Sequence, residues 1–256
     1  MATLQQIQAV ELEMLHFLHD RCAALGINYC ITDGTMLGAI RHQGFIPWDD
    51  DLDIYMSMED FSVFRKSFQS DDFFLQMPEN EKEFASICFK IRKNGTVMKV
   101  RGRESLDIHH GVWLDIFPYT NAGGNRITRK LQIFFRNMLQ SFRLKWHYKR
   151  TAPQRKLHVL LCFLPFRVSL WIDRLLYKAI ALLGSKSSDQ IFALDVGRNM
   201  FFKKSFFENT QLYRFEDGEF WGIRDYDEYL TLQYGPDYMT PVKWGHVEDY
   251  STVTLT

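Results

Sequence analysis

Four aspartates crowd into positions 49–53, with Pro47-Trp48 before them and the alternating stretch Leu52-Asp53-Ile54-Tyr55-Met56 running on from them. Carboxylates this close repel one another, so a fold that holds them together must set positive charge among them. The alternation predicts a strand, and side chains two apart on a strand share a face, which brings Asp51 and Asp53 side by side. With Asp33, five acids fall within the 21 residues 33–53. A hard cation such as Mg2+ suits a set of this kind. Phosphoryl transfer needs one, because metal ions there neutralise phosphate oxygens and align nucleophile with leaving group. A solvated loop is the plain alternative for any acidic run, but this one sits at a strand entrance. Asp49, Asp51 and Asp53 also have the spacing of the first ligands in a calcium-binding hand; that loop requires Gly next and Glu at its twelfth position, where the chain has Ile54 and Asp60, so the hand is excluded.

Around this run the pattern alternates between helix and strand. Thr3 and Gln6 form a capping box, and Ile7, Val10, Met14, Leu18 and Cys22 recur at helical spacing up to Gly26, predicting a helix over 4–25. A short buried strand follows at 27–31 and a second helix from near Thr35, with Asp33 as its cap or as an anchor for the loop. Residues 58–67 read as helix. Asn94-Gly95 predicts a two-residue hairpin between strands at 85–92 and 96–101. A further strand at 112–117, closed by Pro118, carries Asp115, a third metal ligand or the base that takes a proton from an attacking hydroxyl. Segment 126–183 reads as two or three helices interrupted near Pro153 and Pro165. Short strands follow over 190–222, turned by Asp217-Gly218, and a capping box at Asp225 and Glu228 starts a helix that ends at Tyr234, with Gly235-Pro236 as its stop. These patterns divide the chain into a core at 1–122, a basic aromatic helical segment at 123–188, and C-terminal strands and helix at 189–256 packing back on the core.

The 256 residues carry 31 Lys+Arg and 31 Asp+Glu, a formal net charge of zero that argues against a globally basic nucleic-acid binder. The zero is a sum of opposed parts. Residues 116–172 contain no acid and eleven Lys or Arg, interleaved with Phe134, Phe135, Phe142, Trp146 and Tyr148. A basic amphipathic helical segment with aromatics fits an anionic membrane surface; packing against the acidic half of the same fold is the alternative, and nucleic acid is not expected, for want of a recognised motif. Cysteines 22, 30, 88 and 162 form no CxxC pair and the N-terminus has no signal-peptide pattern, which favours the cytoplasm, with peripheral attachment at the inner face of the membrane as an extension of that reading. No apolar stretch reaches the roughly 18 residues needed to span a bilayer.

The run Gly34-Thr35-Met36-Leu37-Gly38-Ala39-Ile40-Arg41-His42-Gln43-Gly44-Phe45-Ile46-Pro47-Trp48-Asp49-Asp50-Asp51-Leu52-Asp53 resembles the motif of the LicD family of phosphotransferases, related to the fukutin-related proteins, with Met36 in place of a Leu. A second family element, His-Gly-(apolar)₃-Asp-Ile-Phe-Pro, stands at 110–118, and a third at Asp225-Tyr226, Tyr229-Leu230, Tyr234-Gly235, Tyr238-Met239 and Pro241. The resemblance implies an α+β, nucleotidyltransferase-like fold: a small mixed sheet flanked by helices, here with a basic helical insertion. It also implies that Gly34 and Thr35 open a helix facing the donor phosphates, that Asp51 and Asp53 hold Mg2+ (or Mn2+), and that Asp115 completes the carboxylate set. The 17-position interval from Gly34 to Asp51 is wider than usual for nucleotidyltransferases and is filled by the Arg41–Trp48 insertion, making Arg41 and His42 candidates for phosphate contact or for packing.

Asp49 and Asp50 are extra or outer metal ligands, or solvated charges. Lys90 and Arg92 share a strand face, where they bind phosphates or simply meet solvent. Glu13-x-x-His16 has no partner pair and is set aside as a metal site, and His109 and His110 are given loop roles. The expected reaction is transfer of a phosphorylated alcohol, phosphocholine first, from a CDP-activated donor to a hydroxyl of a cell-surface glycan or its lipid-linked precursor. Ribitol or glycerol phosphate are alternative groups, a sugar-phosphate donor is another, and a metal-dependent glycosyltransferase is a competing class. Choline recognition calls for an aromatic cage, for which Trp48, Trp113, Trp221, Tyr226 and Trp244 are candidates.

Overall fold

The computed structural model describes residues 2–100, 102–194, 200–242 and 253–255. The capping box forms: Thr3 Oγ1 accepts from Gln6 N–H and Gln6 Oε1 from Thr3 N–H, starting α1 (Leu4–Leu25), which stops at Gly26 with φ 63°. Next come β1 (Cys30–Ile31), α2 (Asp33–His42), β2 (Asp53–Ser57), α3 (Met58–Ser67), β3 (Phe73–Gln76), β4 (Phe89–Lys93) and β5 (Trp113–Asn121). The basic segment makes α4 (Arg126–Arg143), α5 (Lys145–Thr151), α6 (Lys156–Leu161) and α7 (Phe166–Leu182), with Pro165 fixing the entry to α7. The chain then returns as β6 (Gln190–Ala193), β7 (Phe201–Lys203), α8 (Ser205–Glu208), β8 (Thr210–Phe215), β9 (Gly218–Ile223) and α9 (Tyr226–Tyr234).

All nine described strands join one mixed sheet in the order β3-β4-β5-β2-β1-β9-β8, with β6 and β7 continuing from the far end of β5. The β2–β5 and β1–β9 pairs are parallel and the rest antiparallel. The architecture is therefore α+β, an open mixed sheet flanked by helices. Its main core joins α1, α3 and the sheet through Leu15, Leu18, Ile54, Phe61, Phe64 and Ile116, each at most 2% exposed. No helix among the described residues is long and apolar enough to cross a membrane.

Three local expectations are corrected. Gly95 has φ 78°, but no hairpin forms there: β4 pairs with β3 and β5, and residues 96–100 bridge only through Val97 to Thr254; Arg101 lies outside the described residues. Strand β5 does not close at Pro118. Its edge partner changes there, from Phe89 opposite Ile116 to Ala193 opposite Tyr119, and the missing N–H falls at that exchange while Pro118 O still accepts from Leu194 N–H. The Asp225 side chain does not cap α9, so that capping box is absent.

Candidate active site

A polar row crosses four strands at the centre of the sheet. Asp53 on β2 stands opposite Asp115 on β5, Asp115 opposite Lys90 on β4, and Lys90 opposite Gln76 on β3. Partners in register share a face, so the fold collects from four strands what the sequence shows as separate motifs. Lys90 Nζ donates to both Asp115 oxygens at 2.5 and 2.7 Å, and Trp113 Nε1 donates to Oδ2 at 2.9 Å. The Trp113 ring lies beneath both Lys90 Nζ (4.7 Å) and the Arg92 guanidinium (5.1 Å). Arg92 itself donates to Gln76 Oε1 and Gly111 O. Both cations are buried, so the exposed strand face considered for them does not exist.

Helix α2 closes the site from the other side. Thr35 Oγ1 accepts from Asp53 N–H at 2.8 Å, tying the first turn of α2 to the start of β2. A Cβ on Gly34 would stand 2.7 Å from Asp49 Oδ2: glycine lets that carboxylate rest against the helix N-terminus, where the dipole favours it. Asp33 does not cap this helix. It sits at φ 47° and accepts from Tyr229 Oη (2.7 Å) and Gln233 Nε2 (2.6 Å), fastening α2 to α9. Arg41 donates to Tyr238 O at 3.1 Å and to His42 Nε2 at 3.0 Å, which sets both residues on the rim beside the C-terminal segment.

The carboxylates repel as expected. Burial and then Asp50 push Asp49 up to about 6, against a hydrogen bond with Asp51 and the charge of Arg41. Burial, Asp49 and Asp115 push Asp51 up to about 8, with Lys90 opposing. Asp53 is raised well above the usual range by burial and by Asp51 and Asp115. Lys90 is lowered, by burial first, with Asp115 holding it up.

Two residues join the site unforeseen. Glu11 on α1 is 1% exposed, raised by burial and by the fields of Asp51, Asp50, Asp49 and Asp115, and its Oε2 has no hydrogen-bond partner. Its signal was readable: Glu11 falls in helical phase with Ile7, Met14 and Leu18 on the buried face. Tyr234 keeps 42% of its surface exposed at the end of α9, yet desolvation of its hydroxyl and then the fields of Asp33, Asp53, Asp49 and Asp51 raise it, and only the fold brings it there. Glu13 and His16 part company, to Lys93 (3.1 Å) and Asp217 (2.9 Å). His109 bonds Gly111 N–H and Asn94, and His110 bonds Leu106 O, both loop roles. Trp48 packs on the main core and Trp221 is exposed, while Trp244 lies outside the described residues.

This donor set fits a divalent cation by its chemistry. Its ligands are hard oxygens, the repulsion that Asp49, Asp115 and Asp50 exert on Asp51 exceeds what Lys90 relieves, and one buried Glu11 oxygen is left without a partner. Among the described residues no three His, Cys, Asp or Glu side chains yet converge as a ready ligand group. Asp115 is engaged by Lys90 and Trp113.

Residues 26–165 match the family model described as LicD/FKTN/FKRP, nucleotidyltransferase domain. The chain is 28% identical over 253 residues to the lipopolysaccharide cholinephosphotransferase LicD of Haemophilus influenzae, a match covering 93% of this chain and 91% of that protein. An uncharacterised protein of Rickettsia typhi is 32% identical over 96 residues, 38% of this chain and 26% of that protein. The ribitol 5-phosphate transferase FKRP of Mus musculus is 28% identical over 95 residues, 30% of this chain and 19% of that protein. The carboxylate row, the glycine that opens α2 and the matched span together make the chain a member of the LicD/FKTN/FKRP nucleotidyltransferase-domain family, a phosphotransferase of the LicD type.

Proposed function

We propose that the protein transfers phosphocholine from CDP-choline to a hydroxyl of a cell-surface glycan or its lipid-linked precursor, of the teichoic acid, lipopolysaccharide or capsule kind. The observation that carries this reading is the register of Asp53, Asp115 and Lys90 on three neighbouring strands. The near full-length similarity to a lipopolysaccharide cholinephosphotransferase supports phosphocholine as the group transferred.

Asp51 and Asp53, with Asp49 and Asp115 beside them, are the residues that would hold Mg2+ or Mn2+, whose chemistry there is neutralisation of phosphate oxygens. Lys90 and Trp113 fix Asp115 through three hydrogen bonds, which aims one carboxylate at the incoming hydroxyl. Asp115 takes the hydroxyl proton as the acceptor oxygen bonds to the distal phosphorus, the phosphorus–oxygen bond to CMP breaks, and CMP leaves. Gly34 and Thr35 set the α2 N-terminus against the donor phosphates. Arg41 supplies charge at the edge of the site, steadied by the neutral His42 imidazole that accepts from it, and the buried Lys90 and Arg92 lend their charge to the phosphates from beneath, through Asp115 and Gln76. The four cysteines are free and buried, which suits the cytoplasm, and a lipid-linked acceptor sets the enzyme at the inner face of the membrane.

Incubation with CDP-choline and acceptor should release CMP, and ordinary turnover by an Asp51→Asn, Asp53→Asn double variant would overturn the assignment. A second reading keeps the chemistry and changes the group: similarity to a ribitol 5-phosphate transferase favours testing CDP-ribitol and CDP-glycerol in parallel.

A further inference from the structure

The basic segment answers its own charge only in part. Arg143 is spent on Asp173, Arg136 on Leu194 O, Arg129 on Gly123 O and Gln190, and Arg150 on Glu83. Arg126, Lys130, Lys156 and Arg167 are exposed and make no ion pair among the described residues.

The same helices also expose apolar side chains. Helices α4 and α7 run antiparallel, since Gln132 bonds Ile180 O near one end and Arg143 bonds Asp173 near the other. Each buries one face against its partner and the sheet and turns a second apolar stripe outward. Leu131, Phe134 and Met138 recur at i, i+3 and i+7 on α4, and Trp171 and Leu175 at i and i+4 on α7. Phe134 is 56% exposed, Trp171 63%, and Phe163 just after α6 73%. Soluble chains rarely leave a patch of this kind open without a partner.

We propose that this face of α4, α6 and α7 seats the enzyme on an anionic phospholipid bilayer, with the aromatic and aliphatic stripes in the headgroup region and Arg126, Lys130, Lys156 and Arg167 on the acidic lipids. Charge selects this occupant. A second copy of the chain, docking the same face, would set like charges together, because residues 116–172 carry no acid to answer them. An anionic bilayer answers both features at once, with each basic side chain near the headgroups worth roughly fivefold in partitioning. The helices lie on the membrane rather than span it. The lipid-linked acceptor of the proposed function gives this seat its purpose and in that respect the inference rests on it, yet vesicle binding is read without donor or acceptor, so the two fail separately.

The full chain is sedimented with vesicles of phosphatidylcholine and phosphatidylglycerol in equal parts, or of phosphatidylcholine alone, at about 0.15 M salt. Binding to the mixed vesicles should exceed that to the neutral ones by at least about tenfold. It should fall by a similar factor in Phe134→Gln, Phe163→Gln, Trp171→Gln and, separately, in Lys130→Glu, Arg167→Glu, with the Tm of each within a few degrees of wild type. Brominated lipid should quench fluorescence in the wild type and markedly less in Trp171→Phe. Equal binding to both vesicles, binding untouched by both variants, or a solution dimer that the apolar variant splits would each overturn the proposal.

Discussion

Among the described residues Lys90 is the one buried cation bonded directly to the carboxylate row, and its two hydrogen bonds to Asp115 make it the residue on which the site's charge balance turns. Its replacement in Lys90→Met leaves Asp115 facing Asp51 and Asp53 without relief, so turnover should fall by about 10²-fold and the protein should need Mg2+ to reach its normal Tm. Titration carries a matching sign. Asp49, Asp51 and Asp53 hold protons more tightly in the folded protein than in the unfolded chain, where carboxylates titrate near ~4. Their stabilising contribution is complete below that value and is lost as pH rises through about 6 for Asp49 and about 8 for Asp51. Chelated wild type should therefore lose Tm relative to Asp51→Asn between pH 5 and 9 on the order of a few degrees, and Mg2+ should cancel the difference; parallel pH curves for the two proteins would contradict this. Glu11→Gln removes a buried carboxyl that repels Asp51 whenever it ionises, so the Tm of chelated protein should fall less as pH rises, and the variant should bind Mg2+ more weakly, both measurable by thermal shift.

At the scale of elements, what was legible in the sequence was local. The helix starting at Thr3 and ending at Gly26, the α3 span and the strand that begins at Asp53 all announce themselves through caps and period. Pairing was not legible, since Asn94-Gly95 carries a hairpin signal while the strand before it takes its partners from β3 and β5. Asp33 has the residue type of a cap, but its role depends on Tyr229 and Gln233, some 200 positions away. The same limit hid the work of Arg143, which reads as one basic residue among eleven. It donates to both Asp173 oxygens at 2.7 and 3.0 Å and to the carbonyls of Ser86 and Ile87, joining α4 to α7 and to the approach of β4. Arg143→Leu should cost about 3–5 kcal/mol in urea unfolding by stranding Asp173, and Arg143→Leu, Asp173→Leu should recover most of it; additive losses would contradict the pairing. Gly38 is a separate constraint, because a Cβ there would meet Gly44 O at 2.4 Å, so Gly38→Ala should loosen the turn that presents Asp49.

Across the whole molecule the net charge of zero conceals a division of labour. Acids gather where β2, β5 and α2 meet, and bases gather on the helices between β5 and β6. The motif at 34–53 announced the site because its residues are contiguous, whereas Glu11, Lys90 and Tyr234 reach it only by tertiary folding. Unlike a solvated acidic loop, the row is built into the sheet, and there burial and the neighbouring carboxylates hold Asp53 well above the usual range. The most direct test of the account is release of CMP from CDP-choline by the purified chain with Mg2+ and a glycan acceptor, compared across wild type, Asp51→Asn, Asp53→Asn and Asp115→Asn. Each variant is predicted to lose at least about 10²-fold in kcat while staying folded; turnover near wild type in any of the three would contradict the central claim that this row carries the chemistry.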